Sequence, residues 1–324
     1  MASTEGRCRI CGSDAQHGFV AREMLYGTRE QFRYFECPRC GCVQISEIPA
    51  ALGSYYPSSY YSFHPDASPL RAGARRWALR GLFNGRRLIT PVRRVLERHF
   101  SRVALLALYD RASGGDRGAS VLDVGSGAGS LVQSLVDVGY QRVLGIDRFV
   151  EGDIVYRDRV VVRKLDLSEV DEQFDIISFN HSLEHMPDQV ETLAHARRVL
   201  TRSGTAIVRV PVVDGDAWRT YRADWVQLDP PRHLYLHSRR SLELAAAAAG
   251  LRIASITYDS SELQYWGSEL YRRDIPLNDP KVVAHGARAF FSSKQLAAYR
   301  RQARAANAAA RGDQLVAFLR AAAS

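Results

Sequence analysis

The sequence has no cysteine after residue 42, no long apolar run and no N-terminal segment that resembles a secretory signal. None of its apolar runs approaches the roughly 20 residues that cross a bilayer, and its first ten residues are mostly polar and charged. We therefore expect a protein without a membrane span, most simply a cytoplasmic one. Its 324 residues, 46% hydrophobic and 24% charged, suffice for one large soluble core or for one domain with an appendage.

The five cysteines form a metal-binding pattern near the N-terminus. Two Cys-x2-Cys pairs are separated by 25 residues, namely Cys8 with Cys11 and Cys37 with Cys40. A glycine follows each pair and lets the turn close so that backbone amides face the sulfurs. Four thiolates at this spacing are typical of a structural, tetrahedral Zn²⁺ site, and residues 1–48 are predicted to form a zinc ribbon. Two disulfides are the disfavoured alternative, and Cys42 is predicted to be a packing residue.

Two unusual segments follow the ribbon. Ser-Tyr-Tyr occurs twice within residues 54–63, which predicts an aromatic strap that packs on the main domain. Residues 71–102 contain ten arginines and one acid, with apolar residues at helical spacing. This stretch is either an amphipathic helix with a solvated basic face or a surface for an anionic partner, and the net charge of +9 leaves both open. We assign residues 49–115 to the strap and a basic helical linker.

Residues 116–324 are predicted to be an α/β domain, because strand-like and helix-like segments alternate from residue 120 onward. The predicted strands cover residues 120–124, 142–146, 159–165, 174–179, 205–210, 252–258 and 314–319. More than 50 residues separate the last two strands, and they include a helical, arginine-rich stretch over residues 294–311.

The most specific motif follows the first predicted strand, where Asp123 precedes Gly125, Gly127 and Gly129. Glycines allow a sharp turn and close approach of a ligand, and the N-terminus of the next helix favours negative charge. These features indicate a nucleotide-type site. A dinucleotide fingerprint would place its third glycine at residue 130, where this chain has serine.

Polar residues also end the next three predicted strands. Asp147 ends the second, Asp166 and Leu167 end the third, and Asn180 and His181 end the fourth. The carboxyl ends of parallel strands meet at one sheet edge, where open α/β folds bind their ligands. An acid at the second position can accept both ribose hydroxyls, and an acid at the third can accept an adenine amino group.

This ordered set resembles the class I S-adenosylmethionine (SAM) methyltransferases, and within them the group that includes O-methyltransferases of ubiquinone biosynthesis. The resemblance implies a Rossmann-like sheet that is parallel with one antiparallel last strand. It also implies that Gly125 and Gly127 contact the methionine part of SAM and that Asn180 and His181 lie near the sulfonium and the acceptor. The residues assigned to SAM are Asp123, Gly125, Gly127, Gly129, Asp147, Asp166, Leu167 and Asn180.

The segment Asp229–Ser238 is similar to the Pro-Arg-His-Leu segment of the same group, which enters the active site after strand five. A zinc ribbon followed by Tyr-Tyr-Pro, together with the Tyr265–Pro276 segment, resembles bacterial methyltransferases of polysaccharide and sugar pathways. In this context the tyrosine strap has a second interpretation, as a wall of the acceptor pocket.

A hydroxyl acceptor must lose a proton, and histidine is the usual base. His233 is the first candidate because it lies on a polar, proline-stiffened loop, and His181 is the second. Glu184 is expected to anchor its loop.

The leading hypothesis is SAM-dependent O-methylation of a small-molecule or glycan acceptor, namely a sugar, a glycan or a related hydroxylated metabolite. The alternatives are an RNA methyltransferase that uses the ribbon and the arginine-rich helix, a C- or N-methyltransferase of a nucleotide sugar, and a non-catalytic scaffold. The sequence has no Asn-Pro-Pro-Tyr or Asp-Pro-Pro-Tyr motif, which disfavours methylation of a base amine. It does not specify the oligomeric state.

Overall fold

The computed structural model describes residues 6–15, 18–57, 79–83, 93, 96–97 and 101–322. Most of the predicted basic stretch over 71–102 and the second Tyr-Tyr pair of the strap lie outside these residues. The β-strands are β1 Gly6–Arg7, β2 Asp14–Ala15, β3 Gly18–Arg22, β4 Gln31–Glu36, β5 Val43–Ile45, β6 Ser120–Val124, β7 Arg142–Ile146, β8 Ile154–Tyr156, β9 Arg159–Arg163, β10 Phe174–Asn180, β11 Leu200–Pro211, β12 Tyr235–Leu236, β13 Leu251–Tyr258 and β14 Gln314–Ala321. The α-helices are α1 Ser101–Ala112, α2 Ser130–Asp137, α3 Gln189–Val199, α4 Asp216–Tyr221, α5 Arg239–Ala248, α6 Leu263–Arg272, α7 Pro280–His285 and α8 Ser293–Ala308.

The chain divides into two compact units. Unit 1 comprises the described parts of Met1–Tyr56, His181–Leu193 and Val208–Ala322, and unit 2 comprises those of Pro57–Asn180 and Ala194–Ile207. These units do not follow the predicted boundaries after residues 48 and 115, and that domain division stays a prediction. Among the described residues, no helix combines the length and the apolar character needed to cross a bilayer.

Unit 2 contains a mostly parallel sheet centred on β6, whose five residues are all buried. β6 pairs in parallel with β7 and β10, and β7 pairs in parallel with β9. Asp123 on β6 lies opposite Gly145 on β7 and Ser178 on β10. The carboxyl ends of these strands therefore meet at one edge of the sheet, as the alternating sequence pattern predicted.

The sheet of unit 2 also contains an antiparallel strand that the sequence analysis did not predict. β8 pairs antiparallel with β9 through the two-residue turn Arg157–Asp158. Both turn residues have positive φ, at 51° and 58°, which suits a tight hairpin because the twist of such a turn matches the twist of its strands. The turn has no Asn-Gly or Asp-Gly pair, so the usual sequence signal for this hairpin is missing.

Unit 1 contains two antiparallel arrangements. β13 and β14 pair antiparallel, so β14 is antiparallel to its neighbour, as expected for the last strand. The second sheet has the order β12-β5-β4-β3, and β12 comes from the segment that follows the fifth predicted strand. The cysteine-rich region therefore obtains one strand of its sheet from residues 235–236.

The cysteine-rich region shares a buried aromatic core with later parts of unit 1. Tyr34 and Phe35 of β4 belong to the same buried cluster as Trp218, Trp225 and Leu234. Burial of large aromatic side chains is a major source of folding free energy. The core supporting the cysteines is thus built from segments that are far apart in the chain.

A buried ion network joins the β3–β4 turn to the loop before β12. The Arg232 guanidinium donates to Glu23 at 2.7 Å, and to both carboxylate oxygens of Asp229 at 2.9 and 2.6 Å. The side chains of Arg232 and Glu23 are each only 1% exposed. Glu23 also accepts the backbone N–H groups of Tyr26 and Thr28. The network therefore holds the turn and the loop together.

We predict that Arg232→Met destabilises the protein by about 3–5 kcal/mol, because it leaves the buried Glu23 and the largely buried Asp229 without their cation. Denaturant-induced unfolding measures this loss. Arg222→Ala is the matched control, because Arg222 forms an ion pair with Glu36 that is 54% and 40% exposed. This control is expected to cost at most about 1 kcal/mol. Equal losses in the two variants would contradict a stabilising role for the buried network.

Candidate functional site

The glycine turn after β6 has a backbone conformation that favours glycine at three positions. Gly125, Gly127 and Gly129 have φ values of 76°, 51° and 76°, a left-handed region that other residues rarely adopt. The N–H of Gly125 donates to the Ile146 carbonyl at 2.8 Å, which fixes the loop at the end of β7. A Cβ on Gly129 would lie 2.7 Å from Cγ2 of Val162. Glycine is therefore required there on both steric and conformational grounds.

Asp147 is held directly against this glycine turn. Its Oδ2 accepts the backbone N–H of Gly127 at 2.9 Å, and its Oδ1 accepts that of Phe149 at 2.8 Å. An ionised carboxylate has about four acceptor positions. Both oxygens of Asp147 thus retain capacity for the hydroxyl groups of a ribose.

Asp123 stabilises the glycine turn through side-chain hydrogen bonds. It is buried, and its two carboxylate oxygens accept Ser178 Oγ–H at 2.7 Å and Ser126 Oγ–H at 3.1 Å. Burial raises the pKa of Asp123 to about 6. This residue thereby connects β6, β10 and the glycine turn within unit 2.

The other predicted cofactor residues follow β9 or end β10. Asp166 caps the single turn Leu167–Glu169 by accepting the N–H of Ser168 at 3.0 Å. Burial would raise the pKa of Asp166, but the Ser168 hydrogen bonds and the nearby Arg148 lower it overall. Leu167 is buried, and Asn180 is the last residue of β10. The parallel register brings the strand ends of this group to the edge where the glycine turn lies.

The predicted histidines lie in unit 1 and face a common acid. Nδ1 of His181 is 3.1 Å from Oε1 of Glu184, and Nε2 of His233 is 4.0 Å from the same oxygen. His233 Nδ1 lies 2.7 Å from the Gln227 carbonyl, to which it donates when protonated. His233 Nε2 is also 4.0 Å from Asp229 Oδ2.

Glu184 is fully buried. Burial would raise the pKa of Glu184, but the His181 hydrogen bond and the adjacent histidines lower it to about 2. The sequence pattern predicts only a loop anchor at this position. Its burial between histidines was not visible from the pattern Asn-His-Ser-Leu-Glu-His.

His185 and His237 have other surroundings. His185 Nδ1 lies 2.9 Å from the Arg232 carbonyl and 3.0 Å from the Tyr56 hydroxyl, and burial lowers its pKa. Both ring nitrogens of the buried His237 have partners, Ser241 and Gln189, and burial lowers its pKa to about 4. His237 is therefore a neutral structural residue. Tyr56, from the start of the strap, contacts the ring of His185 edge to face. The repeated tyrosines predicted a strap that packs on the main domain.

Two groups of side chains could ligate a metal ion. The first is Cys8, Cys11, Cys37 and Cys40, whose sulfurs all lie within 4.8 Å of one another. The second is Glu184, His185 and His233, whose ligand atoms lie within the same distance of one another. In the first group the shortest pairs are 3.6 Å for Cys8–Cys40 and 3.5 Å for Cys11–Cys37.

The cysteine group has the donor set of a tetrahedral zinc site. Zn–S bonds of about 2.3 Å place the sulfurs of such a site about 3.8 Å apart, close to the distances between these thiols. Gly12 and Gly41 have φ values of 71° and 73°, as closed knuckle turns require. Gln44 Nε2 donates to Cys8 Sγ at 3.0 Å. Cys42 is completely buried and does not belong to this group.

Comparison with protein families gives a match to the methyltransferase domain over residues 97–256. Among curated proteins, the ubiquinone biosynthesis O-methyltransferase of Klebsiella pneumoniae subsp. pneumoniae is 28% identical over 167 residues, which are 48% of this chain and 64% of that protein. The enzyme of the same name from Salmonella arizonae is 29% identical over 160 residues, 46% of this chain and 60% of that protein. The chain thus spans less than two thirds of the length of these relatives.

Among solved structures, the magnesium protoporphyrin IX methyltransferase from Synechocystis PCC 6803 with bound SAH is 18% identical, with a TM-score of 0.39. That match covers 59% of this chain and 89% of that one. The family match and the curated relatives thus show that this chain is similar to methyltransferases, and unit 2 has the mostly parallel sheet of an α/β fold.

We predict that Gly129→Ala destabilises the protein more than Gly114→Ala does. Both glycines have positive φ, so each alanine is expected to cost about 1–2 kcal/mol of backbone strain. The Cβ at residue 129 also collides with Val162, whereas no atom lies within 4 Å of a Cβ at residue 114. Unfolding in denaturant measures both losses. Equal losses would show that the turn adjusts to the added methyl group.

Proposed function

We propose that the protein is a SAM-dependent methyltransferase that methylates a hydroxyl group of a small molecule or glycan. The main support is the hydrogen bond from the Gly127 backbone N–H to the Asp147 carboxylate, in a chain whose residues 97–256 match the methyltransferase domain. The curated relatives are named O-methyltransferases, which supports oxygen as the methylated atom.

The residues around the glycine turn suit SAM. In this proposal Gly125, Gly127 and Gly129 allow the methionine part to approach the backbone, Asp147 accepts the ribose hydroxyls and Asp166 accepts the adenine amino group. Asp123 supports the turn, Leu167 packs beside the adenine and Asn180 lies near the sulfonium. The Ser168 hydrogen bonds and the nearby Arg148 lower the pKa of Asp166, which favours the ionised carboxylate, the stronger acceptor.

SAM supplies an activated methyl group. In the transfer, the acceptor oxygen bonds to the methyl carbon while the carbon–sulfur bond breaks and its electron pair stays on sulfur. The protein must align the acceptor and receive the hydroxyl proton. His233 and His181 are the proposed bases. Both lie beside the ionised Glu184, which stabilises an imidazolium.

A sugar, a glycan or a related hydroxylated metabolite is the proposed acceptor. Its support is the resemblance of two features to sugar-pathway methyltransferases, namely the predicted zinc ribbon followed by Tyr-Tyr-Pro and the Tyr265–Pro276 segment. The proposed domain division is a zinc ribbon over residues 1–48, a strap and linker over 49–115 and the methyltransferase domain over 116–324.

We also propose that Cys8, Cys11, Cys37 and Cys40 hold one structural Zn²⁺. Their mutual distances and the four-sulfur donor set support a closed site without an open position for substrate. Zinc would then add folding free energy to that of the shared aromatic core of the cysteine-rich region.

We predict that Asp147→Ala weakens SAM binding about 100-fold or more. Two hydrogen bonds to a charged group contribute about 1.5–3 kcal/mol each, and about 1.4 kcal/mol corresponds to a tenfold change in Kd. Isothermal titration calorimetry with SAM measures the effect. Asp171→Ala is the control, because the Asp171 side chain is 97% exposed. Unchanged affinity in Asp147→Ala would show that the ribose site lies elsewhere.

A transfer assay with the wild-type protein tests the proposed activity. Wild-type protein is incubated with methyl-labelled SAM and a panel of sugars, nucleotide sugars, phenols and RNA, and label is expected on a hydroxyl oxygen of one small-molecule class. Transfer to RNA would replace the proposed acceptor. Wild-type protein that fails to bind SAM would favour the scaffold alternative.

Zinc content provides a separate prediction. Cys37→Ser is expected to reduce bound zinc from about one ion per chain to near zero, because three thiolates and a hydroxyl bind Zn²⁺ more weakly than four thiolates. Cys42→Ala is the matched control and should keep its zinc. Elemental analysis of the purified variants measures both. Full zinc occupancy in Cys37→Ser would rule out this ligand set.

A further inference from the structure

Glu184 is a buried acid that lies beside both proposed bases, His181 and His233. Its Oε1 lies 3.1 Å from Nδ1 of His181. Its Oε2 is buried and has no hydrogen-bond partner among the described residues. An unpaired charge in such a position is costly unless donors or opposite charge stabilise it. The groups available to do so are the imidazoles of His181, His185 and His233.

We propose that Glu184 is a positioning residue that keeps a proton on Nδ1 of His181 and so leaves Nε2 of His181 as the general base. This inference rests on the proposed methyl transfer to a hydroxyl group. When the acceptor oxygen bonds to the methyl carbon and the carbon–sulfur electron pair leaves with sulfur, the hydroxyl proton moves to Nε2 of His181. The imidazolium formed is then stabilised by the carboxylate at its Nδ1, as in other histidine–carboxylate pairs.

The geometry favours His181 over His233 for this role. The side chain of His181 is 25% exposed and that of His233 is 9% exposed. Nε2 of His233 faces two carboxylates, at 4.0 Å from Glu184 and 4.0 Å from Asp229. An acceptor hydroxyl can therefore approach His181 more easily, whereas Nε2 of His233 is directed towards the buried acids.

The backbone of His181 supports the same assignment. Its φ is 55°, a left-handed value that costs free energy in a residue with a Cβ and persists only where the surroundings hold it. Its N–H donates to the Arg209 carbonyl at 2.9 Å, and its ring is held by Glu184. The backbone and the ring of His181 are thus both held by hydrogen bonds, which limits the directions in which Nε2 can point.

The tautomer of His181 tests the proposal without any acceptor. Two-bond ¹H–¹⁵N spectra of protein with ¹⁵N-labelled histidine show which ring nitrogen carries the proton at a pH where the ring is neutral. The His181 signals are identified by their absence from His181→Gln. We expect the proton on Nδ1 in the wild type. Glu184→Ala should lose this preference, and Glu184→Gln should keep it, because the amide oxygen still accepts the hydrogen bond.

Glu243→Ala is the matched control, because Glu243 is an exposed acid of unit 1 paired with Arg239. Its His181 signals should equal those of the wild type. A wild-type proton on Nε2 would overturn the proposal, and so would an Nδ1 proton that persists in folded Glu184→Ala. If Glu184→Ala does not fold, the wild-type spectrum alone still decides.

Calorimetry with SAM separates this proposal from the proposed function. Wild type and Glu184→Gln are both expected to bind SAM with Kd values within about threefold of each other, since Glu184 is not among the residues assigned to SAM. Absence of SAM binding in the wild type would refute the proposed function, and the tautomer of His181 would still be read independently.

Discussion

The pairing of buried charges around Arg232 is the constraint on which the arrangement of unit 1 depends. Its guanidinium joins Glu23 of the β3–β4 turn to Asp229 of the loop that carries His233. The Arg232 carbonyl lies within hydrogen-bonding distance of His185. The attraction within a buried ion pair offsets the cost of removing both charges from water only when their remaining hydrogen-bonding groups are also satisfied. The positions of the turn, of the loop and of His185 therefore depend on one another.

Unit 2 depends on a simpler constraint, the parallel register of its strands. Because β6, β7 and β10 align at Asp123, Gly145 and Ser178, every chain segment that leaves these strands starts at the same edge. The glycine turn and Asp147 then meet through the hydrogen bond that the backbone N–H of Gly127 donates to the Asp147 side chain. This edge needs few long-range side-chain contacts, which explains why a local sequence pattern predicts that the glycine turn and the acids at the strand ends lie close together.

The predicted strands and the predicted helix over residues 294–311 agree with the structure to within five residues at each end, because apolar periodicity and glycine boundaries are local signals. The β8–β9 hairpin was missed because its turn residues, Arg157 and Asp158, are not typical of that turn. The contribution of β12 to the sheet of the cysteine-rich region was also missed. Pairing between residues 43–45 and 235–236 leaves no trace in either segment alone.

The sequence by itself determined the residues whose chemistry depends on spacing, namely the two cysteine pairs, the glycine turn and the acids at strand ends. Only the tertiary structure decided what surrounds each titratable group. It made His237 a neutral structural residue and enclosed Glu184 among histidines. The physical reason is that backbone turns and strand ends are set by near neighbours, whereas burial and electrostatics are set by residues distant in the chain.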